Sequence, residues 1–170
     1  MTKLRMMVAG VTLLASVACA EMPAGFLEFL WGTRAETLTE EFLTKRCTSY
    51  TGFSDRGGFA ICHHYRVEGL NVPTLRFDFE PGDRLAGYGM TVASTSYPAL
   101  RRQAVARFGN PSVRTAFLWF GEQLFWAWEG GDARLIQKCA DQVACLEVRS
   151  PTLVQKAREQ EQSRQSQSPF

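Results

Sequence analysis

Apolar positions recur along this chain with two periods, and the switches between them mark out its elements. Ala35, Leu38 and Phe42 recur at helical spacing, so a helix is expected from Thr33 to about Leu43. Thr33 and Glu36 have the spacing of a capping box, in which each side chain satisfies an orphan amide of the other's backbone. Phe26, Leu27, Phe29 and Leu30, just before it, supply a first strand or a packing arm.

The period then drops to two. Residues 59–67 alternate, with Phe59, Ile61, Tyr65 and Val67 expected on one face and Ala60, Cys62, His64 and Arg66 on the other. Residues 73–80 place Leu75, Phe77 and Phe79 against Arg76, Asp78 and Glu80. Pro81-Gly82-Asp83 is a turn signal leading into a returning strand at 84–94. That strand has Ala86, Tyr88, Met90 and Val92 on its bulky side, while Gly87 and Gly89 leave the other side bare for close packing.

A second helix follows. Ser96 is its expected cap, Pro98 lies in its first turn, and Gly109-Asn110-Pro111 stops it. Tyr97, Leu100, Ala104, Val105 and Phe108 form its apolar face. Three more strands are expected at 116–120, 124–129 and 133–138, and an edge strand at 146–149. The succession helix, strands, helix, strands predicts an α+β fold: an antiparallel sheet with two helices packed on one face, built from two similar α-then-β halves. Residues 21–150 form one domain on this reading, and the polar run at 151–170 is expected as a frayed helix turn and a disordered tail.

The N-terminus changes the compartment. Lys3 and Arg5, a short apolar run at 8–17, and Ala18-Cys19-Ala20 have the form of a secretory signal, so a mature start at Glu21 is expected, in the periplasm or outside the cell. Ser16-Val17-Ala18-Cys19 also loosely follows a lipobox, which leaves an outer-membrane lipoprotein acylated at Cys19 as the alternative. Membrane association is expected only in that case.

Charge changes once the leader is set aside. Lys3 and Arg5 are two of nineteen bases, and the remainder balances the seventeen acids. No basic face of the kind that tracks phosphates is implied, and nucleic acid is not an expected partner. Cys47, Cys62, Cys139 and Cys145 make an even set, read as two disulfides. Three pairings are open, and proximity favours Cys47 with Cys62 and Cys139 with Cys145.

Chemistry is sparse. His63 and His64 are neighbours, which on a strand point apart, and no zinc, nucleophile-elbow or phosphate-loop motif is present. No cofactor, metal ligand or catalytic residue is therefore assigned. Asp78, Glu80, Glu122 and Glu129 supply carboxylates for an alternative envelope hydrolase or glycan-binding protein. The sharpest local signal is aromatic: Leu124, Trp126 and Trp128 alternate onto one face, with Phe117 and Trp119 beside them. Trp119, Trp126 and Trp128 are the candidate contact residues of an open sheet face.

Trp31-Gly32-Thr33-Arg34, followed by a short helix and then by Cys47 and Cys62, resembles the module of β-lactamase inhibitor proteins and of small BamE-type outer-membrane assembly lipoproteins. The resemblance spans about residues 27–79, and Ser96-Tyr97-Pro98 replaces the family's turn in the second half. It implies an antiparallel sheet with helices on one face, and protein recognition rather than catalysis; the partner expected from the export signal is another envelope protein.

Overall fold

The computed structural model describes residues 23–52, 58–67, 69–119, 121–129 and 131–167; the leader and Cys19 lie outside them. A short hairpin, β1 (Gly25–Phe26) and β2 (Phe29–Leu30), opens the fold. The helix α1 (Ala35–Leu38) runs through a π-helical turn (Thr39–Leu43) into α2 (Thr44–Arg46). Next come β3 (Ser49–Thr51), β4 (Phe59–Val67), β5 (Leu70–Glu80) and β6 (Arg84–Ala93). The helix α3 (Tyr97–Phe108) leads to β7 (Val113–Phe117), β8 (Gly121–Trp128), β9 (Gly131–Ala140) and β10 (Val143–Arg149), and α4 (Pro151–Gln167) follows.

Eight strands form one antiparallel sheet in the order β3-β4-β5-β6-β10-β9-β8-β7. Two meanders therefore lie side by side and meet at β6 and β10, paired from Val143 opposite Ala93 to Arg149 opposite Gly87. The class is α+β, as the switch between periods implies. Both disulfides join the cysteines nearest in sequence, Cys47 with Cys62 and Cys139 with Cys145, at Cα separations of 5.3 and 5.9 Å that suit a bridge. Two such bonds point to an oxidising compartment.

The main core lies between the sheet and the helices α1 to α3. Phe26 sits at its centre, with ring centroids 5.4 Å from Phe42, 5.1 Å from Phe77 and 4.8 Å from Tyr88. Leu38, Phe42 and Leu43 are fully buried, and burying each such side chain contributes about 1.5–3 kcal/mol. The first helix does not use the expected box: Thr33 and Glu36 make no capping bond. Instead the Ala35 amide donates to Asp83 O at 2.8 Å, so the tip of the β5–β6 turn caps it. Ser96 likewise makes no side-chain cap, while Pro98 and Gly109 bound α3 as the sequence implies.

The expected faces of β4 are corrected. Ala60, Cys62 and Tyr65 are all buried, so the alternation skips a step between Cys62 and Tyr65. On β5 it skips between Val72 and Leu75, directly across the ladder. His64 absorbs the skip with a left-handed backbone, φ 56°.

The larger correction is at the C-terminus. Residues 151–167 are helical, where a frayed turn and a disordered tail were expected. Pro151 suits a first helical turn, Ser150 Oγ accepts from the Leu153 amide at 3.4 Å, and the Gln, Lys, Ala, Arg and Glu residues beyond are good helix formers. Val154 is buried and Lys156 reaches Glu80 at 3.5 Å. Leu153 Cδ1 lies 2.9 Å from where a Cβ on Gly87 would stand. Tyr88, next along β6, faces the main core, so Gly87 faces away from it. The helix α4 therefore covers the opposite face, and the helices do not all share one side.

Candidate functional site

The surface that departs most from a closed fold is the β7–β8 hairpin. Among the described residues β7 pairs with β8 alone and forms one edge of the sheet, and all five of its residues are exposed. Leu118 and Trp119 form the turn, three residues earlier than the sequence implies. Leu118 is 97% exposed, Trp119 83% and Phe117 53%. Three consecutive large apolar side chains in water at a hairpin tip are an interaction signal, because isolated exposed apolar residues are common but clusters are not.

The base of this hairpin is fixed by charge. Glu122, near the start of β8, accepts from the Tyr97 hydroxyl at 2.5 Å and from Arg101 Nε at 2.9 Å, both on α3. Arg114 Nε of β7 stands 2.6 Å from its other carboxylate oxygen. The Glu122 amide donates to Gln137 Oε1 of β9 at 2.9 Å. Partial burial raises the Glu122 pKa, but the Tyr97 hydrogen bond and the Arg101 and Arg114 charges outweigh it, so the carboxyl stays below its ordinary range. Burial and that same carboxylate push the Tyr97 phenol well above its own.

Of the three tryptophans, only Trp119 lies at an open surface. Trp126 is 1% exposed: its ring meets Phe108 edge-on at 5.6 Å, and its indole N–H donates to Gly109 O at 2.9 Å. Trp128 is half-buried against the same Phe108 at 5.6 Å. Their alternation is real, but it marks the face under α3. The expectation that Trp126 and Trp128 form a bare contact face is therefore corrected. The sequence sets Phe117 beside Trp119 on a sheet face rather than at a hairpin tip, and does not mark Leu118 as a surface residue. The available clue was Gly121, which begins β8 with φ 67° and so closes the turn rather than opening it.

The carboxylates are distributed as ion pairs. Asp78 meets Arg76 at 2.6 Å, Glu80 meets Lys156, and Asp132 makes a two-point pair with Arg149 at 2.7 and 2.5 Å. The Asp132 hydrogen bond outweighs burial and raises the Arg149 pKa. Glu129 is exposed in the turn after β8. A general acid needs a carboxyl raised toward neutrality, and Glu122 is shifted the other way. His63 is half-buried and His64 exposed on the same strand, and no group of three metal-binding side chains occurs among the described residues. No family model, no curated protein sequence and no solved structure matches this chain.

Proposed function

We propose that this chain is an exported, non-enzymatic protein-binding module of the bacterial envelope, an inhibitor or assembly adaptor, in the periplasm or secreted. Its contact surface is the β7–β8 hairpin tip with the free edge of β7. The observation that carries the reading is the exposed run Phe117-Leu118-Trp119 beside an unpaired strand edge. An open edge offers main-chain hydrogen bonds to an extended partner segment, and the apolar tip offers anchoring side chains. The Glu122 cluster supports the same reading, because a hairpin held at its base loses less conformational freedom on binding. The resemblance to β-lactamase inhibitor proteins and BamE-type lipoproteins agrees with it, as does reading the two meanders as related halves.

The test is photocrosslinking in the envelope with the full chain. A crosslinker at Leu118 traps a defined partner, whereas one at exposed Arg158 on α4 does not. Trp119→Ala then weakens binding to that purified partner by about 30-fold, the scale of an aromatic hot spot of ~2 kcal/mol. Equal trapping at both positions, or unchanged affinity in Trp119→Ala, defeats the proposal.

A further inference from the structure

A cavity of about 640 Å³ lies between α3, the β1–β2 hairpin and the sheet, a size typical of small-molecule sites. Its walls include Phe26, Tyr88, Met90, Leu100, Phe108 and Leu146. Two bases line it from α3, Arg102 and Arg107, and no acidic side chain does among the described residues. Both arginines are exposed, and neither has an acidic partner among the described residues. Arg101, one position away, is engaged by Glu122. Arg107 Nη2 donates to Gly25 O at 3.2 Å, which holds its guanidinium 6.0 Å from the Tyr88 ring centroid.

Tyr88 forms part of the cavity wall. It is 2% exposed, and its hydroxyl has no hydrogen-bond partner among the described residues. Burial pushes its phenol up to about 12, so it remains a donor at neutral pH. An unsatisfied buried donor is costly, but this oxygen is closed off from solvent and does not select the ligand.

We infer that this cavity binds a single-chain amphiphile with a carboxylate head, a fatty-acid-like anion whose chain lies on the apolar wall and whose head meets Arg102 and Arg107. Charge selects the head, because two guanidiniums that form no ion pair among the described residues favour an anion that can accept charge-assisted hydrogen bonds. Apolar lining selects the chain. A peptide would bring backbone amides against walls whose side chains are mostly hydrocarbon, at the cost of leaving those amides unpaired. This ligand site is separate from the hairpin tip and does not depend on the protein-binding proposal.

The experiment is calorimetric titration of the full, disulfide-bonded chain with dodecanoate. Saturable binding near one molecule per chain is expected. Methyl dodecanoate and the Arg102→Ala/Arg107→Ala variant bind at least tenfold more weakly, since tenfold is about the effect of losing a single charge-assisted hydrogen bond. Ala106→Trp, at an exposed position on the cavity wall, abolishes binding without entering the core. Trp119→Ala binds dodecanoate as the wild type does. No saturable binding by the wild type overturns the inference. So does unchanged binding in Ala106→Trp, which would mean adsorption elsewhere. Equal affinity for acid and ester, with the double arginine variant unaffected, overturns the anionic head.

Discussion

Replacing Trp126 with alanine separates a core tryptophan from a contact tryptophan. The indole is 1% exposed, lies against Phe108, and donates to the Gly109 carbonyl that follows α3. Large-to-small changes of this kind cost about 3–5 kcal/mol, from lost transfer energy and the cavity left behind. The upper end is expected here, because Gly109 O also loses its donor. With roughly 2–4 °C of melting temperature per kcal/mol for a domain of this size, Trp126→Ala melts roughly 10–20 °C below the wild type. Trp119→Ala, at an 83% exposed position, changes stability by less than ~0.5 kcal/mol. Urea unfolding followed by circular dichroism measures both, as shifts in midpoint at constant slope. If the two variants lose similar stability, or Trp119→Ala loses more, the assignment of Trp126 to the core and Trp119 to the surface is wrong.

Four further outcomes follow from the packing. Gly87→Ala destabilises by more than ~1 kcal/mol, because a Cβ there stands 2.9 Å from Leu153 Cδ1 and 3.0 Å from Val148 O, whereas Gly89→Ala has nothing nearer than 3.6 Å and is milder; thermal melts of the pair decide it. Glu122 has a folded-state pKa below its ordinary 4.5, so its stabilisation is complete above that pH and fades as pH falls through the folded value; the melting-temperature gap between wild type and Glu122→Gln, open at pH 7, therefore narrows toward pH 3. Removing Cys47 and Cys62 together costs about 3 kcal/mol, and removing Cys139 and Cys145 about 2 kcal/mol, by the entropy of the loops they close, measured by chemical denaturation. Tyr88→Phe, which deletes an unpartnered buried hydroxyl, keeps or raises the melting temperature of the free protein, and a fall of several degrees would show a hidden partner.

Much of the fold was legible because side-chain period reports burial directly. The β4 span, the Pro81-Gly82-Asp83 turn and the stop of α3 at Gly109 follow from local patterns alone. The bare side at Gly87 was legible too, as a place for close packing, but not its occupant. That occupant, α4, carries only Leu153 and Val154 as anchors on a polar helix, so its apolar pattern is too short to show a period. The paired skip near His64 and Pro73 was hidden because each strand, read alone, still alternates on both sides of it. The candidate site suffered from one misplaced turn. Shifting it by three residues moves Phe117 to Trp119 from a strand to its tip, and only the pairing of Val113 with Phe125 and of Phe117 with Gly121 fixes that register. Whether an aromatic face is bare or covered depends on which helix lies above it. That is a tertiary fact absent from the alternation of Leu124, Trp126 and Trp128.

The placement of the two sulfur links bears on how the chain matures. Cys47–Cys62 ties the start of one meander and Cys139–Cys145 the β9–β10 end of the other, so the β6–β10 seam has no covalent stitch across it. Each bond closes a short loop, with separations of 15 and 6 residues, and short flexible loops close at lower entropic cost than any of the cross-pairings between meanders. An emerging chain can therefore oxidise the first pair before the second has been made. The pairing of sequence neighbours matches the order of synthesis, and the line between the two meanders is held by backbone hydrogen bonds and side-chain packing with no sulfur link across it.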